Sequence, residues 1–251
     1  MVYLKYKDFD QLYQNLSRLP FHEFDKYEND LIKSGSTYYM DNVIVETDSC
    51  DCTIDMSKLN YTIAKWTTLV NRYVDPHDYL NLKDKLITSN KKTCTFNFKH
   101  DIEGHDACII ALVFTRENTR GKWDKVSVEY RITDVTKKYA VDLILLNRIF
   151  NDLDNVELKN IVFYFPKIFF RIEFMAELIG GYFSLDEFSN DTFASKHVTD
   201  LWNKYYTPGA ELSNYHTVQR KQKLKQRSES LPPLPIESLK LFDGIEVKLF
   251  E

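Results

Sequence analysis

Residues 107–115 read ACIIALVFT and residues 125–132 read KVSVEYRI, with a polar turn over Glu117 to Lys122 between them that contains Gly121. The first run is nearly continuously apolar and rich in β-branched side chains, the pattern of a buried strand. The second alternates apolar and polar residues, the pattern of a strand with one covered face. Two such runs around a glycine-containing turn predict adjacent antiparallel strands. Thr133 or Asp134 then caps a helix to about Leu153, with Val141, Ile144, Leu145, Arg148 and Ile149 in helical period. Before this hairpin, Thr93 to Lys99 alternates as a further strand. After the helix, Leu158 to Phe165 reads as a buried strand stopped by Pro166.

Working outward, residues 8–33 carry apolar side chains at helical spacing in two pieces broken at Pro20, and Tyr38 to Val45 reads as a strand. Asn60 to Tyr73 is a helix candidate with Ile63, Trp66, Leu69, Val70 and Tyr73 on one side. Asp75-Pro76 starts another helix to about Ile87, since Asp caps and Pro suits the first turn. Ile168 to Ile179 reads as a helix closed by Gly180-Gly181, and Asp186 to Tyr206 holds one or two more. Gln219 to Arg227 is a basic run, Ser230 to Pro235 a polyproline-like linker, and the end reads as a hairpin around Asp243-Gly244. The expectation is an α+β fold with a mostly antiparallel sheet and packed helices. One domain spans residues 1–218, a basic and Pro-rich linker spans 219–235, and a hairpin over 236–251 packs back on the domain.

Composition narrows the function classes. With 251 residues and a hydrophobic fraction of 43%, the chain can bury one substantial core. Only seven glycines are present, and neither G-x-G-x-x-G nor G-x-x-x-x-G-K occurs, so the usual nucleotide loops are absent. A net charge of -4 gives no general case for nucleic-acid binding. No apolar run approaches the length of a membrane helix, and MVYLKYKDFDQLY is too polar for a signal peptide. A cytoplasmic location without membrane attachment is therefore expected. The four cysteines, Cys50, Cys52, Cys94 and Cys108, are expected to be free thiols. His100, His105, Cys94 and Cys108 do not follow a standard zinc spacing, so no metal is expected.

Three features stand in order in the central hairpin and the helix after it: Cys108 opening a strand, Arg131-Ile132-Thr133-Asp134 at the end of the return strand, and Asp142 on the helix. This segment resembles the catalytic half of thymidylate synthase and of its relative, deoxycytidylate hydroxymethylase. In that family a catalytic cysteine opens a strand, the hairpin returns to an Arg-Ser-x-Asp motif, and an Asn or Asp follows at the spacing seen between Asp134 and Asp142. The resemblance covers roughly residues 105–180, through IVFYFPK and IFFRIEFMAEL. It implies a thymidylate synthase-like fold, a homodimer, and a pyrimidine deoxynucleotide such as dCMP as ligand. It gives Cys108 the nucleophile position, Arg131 the phosphate-binding position, Asp142 the base-reading position and Asp134 a contact to 5,10-methylenetetrahydrofolate. A carboxylate at Asp142 implies cytosine rather than uracil, because it accepts from the exocyclic amino group. The implied reaction is C5 one-carbon transfer, as in a methyltransferase or hydroxymethyltransferase. The Asn-, Lys-, Tyr-, Phe- and Ile-rich composition, with this relation, points to a phage or viral source and hence the host cytoplasm.

The chain departs from the family pattern at several chemical groups. The family's Pro-Pro-Cys-His is Asp106-Ala107-Cys108-Ile109, the serine after the arginine is Ile132, and Phe169, Phe170 and Arg171 stand where a His-x-Tyr pair belongs. The helix that carries the family's glutamate base reads IAKWTTLV, with Lys65 or Trp66 near that place. The rival function is thus a catalytically decayed fold acting as a protein-interaction module. Each site residue also has a plainer reading. Cys108 can be a small buried hydrophobe, Arg131 a strand-end ion-pair partner, Asp134 a helix cap, and Asp142 a structural carboxylate. The basic run at 219–227 reads as a solvated helix end or tail, or as contact to a phosphate-rich partner.

Overall fold

The computed structural model describes residues 1–59, 62–99, 108–136, 139–175, 196–207, 209, 234 and 236–242. Among them, eight strands form one sheet: β1 (Val2–Tyr6), β2 (Ile32–Ser34), β3 (Thr37–Thr47), β4 (Thr93–Asn97), β5 (Ile109–Thr115), β6 (Trp123–Tyr130), β7 (Thr133–Asp134) and β8 (Val156–Arg171). The order is β1-β3-β8-β6-β5-β4, with β2 also on β3 and β7 also on β8. The expected hairpin is present: β5 and β6 are antiparallel, with Ile109 opposite Tyr130 and Thr115 opposite Lys125. The sheet as a whole is mixed rather than mostly antiparallel, because β1 runs parallel to β3, and both β6 and β7 run parallel to β8. Parallel neighbours require a crossover, and the helix between β6 and β8 supplies one.

The described helices are α1 (Phe9–Leu16), α2 (Leu19–His22), α3 (Phe24–Tyr27), α4 (Ile63–Tyr73), α5 (Pro76–Thr88), α6 (Tyr139–Asp152) and α7 (Lys196–Tyr205). Their starts follow local chemistry. Asp8 accepts from the Gln11 amide, Thr62 from Lys65, and Asp75 from both His77 and Asp78, with Pro76 in the first turn. Pro20 does not break a helix as expected. It sits in the first turn of α2, where its missing N–H leaves nothing unpaired. Thr133 and Asp134 do not cap α6 either, since they pair with Ile168 and Phe169 as β7.

Buried side chains alternate along the strands: Val43 and Val45 on β3, Ile161, Phe163 and Phe165 on β8, Val126, Val128 and Tyr130 on β6. α1 and α6 pack on this face, with the ring of Phe9 5.6 Å from Phe163 and that of Phe150 6.1 Å from Phe114. α5 joins them through Tyr79 against Phe96 and through Leu86, whose carbonyl accepts from Trp123 Nε1 at 2.8 Å. Near the C-terminus Leu239 and Leu241 are buried, and the Lys240 carbonyl accepts from Trp66 Nε1 at 2.8 Å. The basic run, the Gly180-Gly181 pair and the Asp243-Gly244 turn lie outside the described residues. No described helix is long and apolar enough to cross a membrane.

β8 does not stop at Pro166. It continues to Arg171 and ends in a 3₁₀ turn at Ile172–Phe174, so the helix expected from Ile168 is absent over Ile168–Phe174. Two neighbours make room for the proline. On one side, the β3–β8 ladder pairs Asp41 with Lys167 and Val43 with Phe165, skipping the step where Asn42 faces Pro166. On the other, pairing with β6 ends at Tyr164 and resumes with β7 at Ile168 at an unchanged offset along the chain. Pro166 therefore stands where neither neighbour needs an N–H. β5 has its own irregularity between Ile109 and Ala111, so the fault line continues across the sheet beside Cys108 and Arg131.

Candidate functional site

The sequence places Cys108 and Arg131 one step beyond the Ile109–Tyr130 pair, and the structure joins them there. The Arg131 N–H donates to the Cys108 carbonyl at 3.0 Å. Both residues are half-buried. Asp142 lies on the first turn of α6 and is 1% exposed. Burying a carboxylate is costly without compensating groups. Tyr130 and Tyr139 are fully buried beside it, with their rings 6.1 Å apart. Burial first, and then the nearby Asp142 carboxylate, push both tyrosine hydroxyls well above their ordinary value. Cys108 also contributes to the field at Tyr130.

Asp142 also lines a cavity of about 340 Å³, at the low end of the size range for small-molecule sites. Its described lining is Ala64, Lys65, Thr68, Leu69, Arg72 and Tyr73 of α4, with Val141 and Asp142 of α6; it includes neither Cys108 nor Arg131. The α4 residues recur at three- and four-residue spacing, so they form one stripe of the helix. Trp66 and Val70 occupy another stripe and are buried, with Trp66 anchoring the helix to Lys240. Of Lys65 and Trp66, Lys65 is therefore the one at the cavity. Thr68, Arg72, Tyr130 and Tyr139 were not singled out by the sequence. Helical spacing from Lys65 was the signal that could have found Thr68 and Arg72.

Asp134 serves its own turn. Its Oδ1 accepts from the Thr136 amide at 3.0 Å and from the Thr136 hydroxyl, while Oδ2 lies 3.0 Å from Arg171 Nε. Arg171 also reaches Glu173 at 3.4 Å and lies over the Phe169 ring. Phe170 is buried. Both oxygens of Asp134 are engaged within the protein, a poor fit to a group reserved for a folate ring. Among the other thiols, burial pushes Cys50 up to about 11 and Cys52 to about 12, and raises Cys94, so all three are protonated at neutral pH. Among the described residues no group of three His, Cys, Asp or Glu side chains is placed to hold a metal ion. His100 and His105 lie outside those residues. No family model matches the chain, and no curated protein matches it significantly.

Proposed function

We propose that this chain binds a pyrimidine deoxynucleotide, with dCMP as the preferred ligand, in the cavity between α4 and α6. The observation that carries the reading is Asp142, a carboxylate 1% exposed to solvent that nonetheless lines a small-molecule-sized cavity. There it would accept from the exocyclic amino group of cytosine. Arg131 and Cys108 lie outside the described lining of that cavity, so a phosphate contact by Arg131 and a C5 one-carbon transfer with Cys108 as nucleophile would need the ligand to extend beyond it. That transfer needs proton-moving groups as well as a thiolate. Phe169, Phe170 and Ile132 replace polar groups of the family pattern, so binding is expected to outlast turnover. With Asp134 committed to Thr136 and Arg171, no step is assigned through methylenetetrahydrofolate.

Calorimetric titration with dCMP, dUMP and dTMP tests the reading. Selective binding of dCMP is the expected result, and failure to bind any of the three overturns it. An interaction-protein role is the second reading, favoured by Ile132, which is 58% exposed next to Arg131 in place of a polar side chain. A second copy of the chain is the proposed partner. It would cover the sheet face opposite α6, where Tyr3 and Tyr164 are exposed and Ile44, Val113 and Val162 half-buried. Light scattering that finds only monomer would exclude it.

A further inference from the structure

α4 carries an unusual charge pattern for its position. Its sequence, IAKWTTLVNRY, contains two charged residues, both cationic, and both line the cavity that Asp142 closes from the other side. Lys65 is the sharper signal. Thr62 caps the helix by accepting from the Lys65 amide, which puts Lys65 at the third helical position. After a threonine cap that position favours Glu or Gln, and the first turn favours acids because the helix end is positive. α4 has no acidic residue in its first turn. A cation there works against the helix it sits on, and its like charge adds to the positive end of the helix at the cavity wall. Arg72 stands two turns further along, with the small side chains of Ala64 and Thr68 leaving room on the same stripe. The Thr68 hydroxyl donates to the Ala64 carbonyl at 2.9 Å, which leaves its oxygen able to accept.

We infer that Lys65 and Arg72 form an anion-binding wall, so the cavity takes a ligand with an anionic group at the α4 end and a hydrogen-bond-donating ring at the Asp142 end. A phosphorylated cytosine nucleoside has that polarity, with the planar fork of Arg72 and the point charge of Lys65 dividing the phosphate oxygens. The ring half of this assignment rests on the nucleotide reading above, while the anion half stands on α4 alone.

The test compares the wild-type chain with the Lys65→Met/Arg72→Met double variant, using dCMP, deoxycytidine and inorganic phosphate as separate probes in calorimetry. Both residues are exposed, so the variant is expected to melt like the wild type. Wild type should prefer dCMP to deoxycytidine by about tenfold or more, the scale of a charge-assisted hydrogen bond. The double variant should lose most of that preference and bind deoxycytidine within about twofold of wild type. A double variant that keeps the preference, or a wild type without one, overturns the inference. Wild type that ignores both pyrimidines but binds phosphate, with that binding lost in the variant, sinks the nucleotide reading and leaves the anion wall standing. Wild type that binds none of the three overturns both.

Discussion

Asn42 faces Pro166 across the step of the β3–β8 ladder that lies between the Asp41–Lys167 and Val43–Phe165 pairs, and Asn42 has a φ of 54° there. Two residues with opposite backbone demands share one fault in the sheet. Asparagine tolerates the left-handed region and proline needs no ladder partner. The burial pattern resets at the same place: Met40 and Val43 are both buried, as are Phe165 and Ile168.

The fault makes a stability prediction. Asn42→Gly should stay within about 0.5 kcal/mol of wild type, since glycine adopts positive φ freely. Asn42→Val should cost at least about 1–2 kcal/mol, the scale of left-handed strain for a residue with a Cβ. Urea denaturation reads both, and equal stability of the two variants would remove the backbone argument.

A second prediction separates structural from ligand roles at Asp134. If its carboxylate belongs to the Thr136 turn and the Arg171 pair, Asp134→Asn should lower stability and leave dCMP affinity unchanged. The Arg171 side chain is 41% exposed, so a double-mutant cycle of Asp134→Asn with Arg171→Met should give a coupling below about 1 kcal/mol. A large loss of nucleotide affinity in Asp134→Asn without loss of stability would return this residue to the binding site.

The parts of the fold legible in the sequence were those set by local pattern. The β5–β6 hairpin showed in its alternation, and α5 in Asp75-Pro76. What was lost depended on partners far along the chain. IFFRIEF has apolar spacing that suits a helix, yet Ile168 to Arg171 is held as strand by Met40 to Thr37 of β3. Pro166 looked like a stop because the gap between β6 and β7 that excuses it exists only in the assembled sheet. The parallel pairing of β1 with β3 left no local trace. At the candidate site, Asp142 was singled out by the resemblance, which implies an Asn or Asp at that distance after Asp134. Arg72 was missed because a cation on an amphipathic helix reads the same whether it faces water or a cavity.

His197 predicts a pH dependence. Its ring stacks on Phe24 at 3.6 Å between centroids, and its Nε2 lies 3.2 Å from the Tyr38 hydroxyl. Burial, and then the charge of Lys33, lower its pKa in the folded protein. The unfolded chain therefore takes up a proton first as pH falls. This contribution to stability is full above the unfolded value of about 6.5 and is lost as pH drops toward the lower folded value. Denaturation at pH 7.5 and 5.5 should show a drop that His197→Phe reduces. An identical drop in the variant would assign it to other groups.

The last prediction concerns the proposed ligand. Asp142→Asn keeps the shape of the side chain but replaces half of its acceptor capacity with donors. It should therefore weaken dCMP binding and favour dUMP, whose carbonyl and ring N–H suit an amide. Arg131→Ala separates two phosphate assignments: a loss of roughly 1.5–3 kcal/mol in dCMP binding, the scale for a hydrogen bond to a charged group, would put the phosphate at Arg131 rather than at Lys65 and Arg72. Cys108→Ser should leave binding almost unchanged, because the thiol acts only if it attacks C6 of the base. That attack needs a partner to move protons, and of the α4 side chains lining the cavity Lys65 is the one at its first turn. The side chain proposed to hold the ligand's anionic group is then not available to carry protons at C5. Folate-dependent release of hydrogen from C5 of dCMP should accordingly be weak or undetectable in the wild-type chain. Robust release that Cys108→Ser abolishes would establish an enzyme. Absent nucleotide binding, with Arg131→Ala silent, would leave the interaction reading alone.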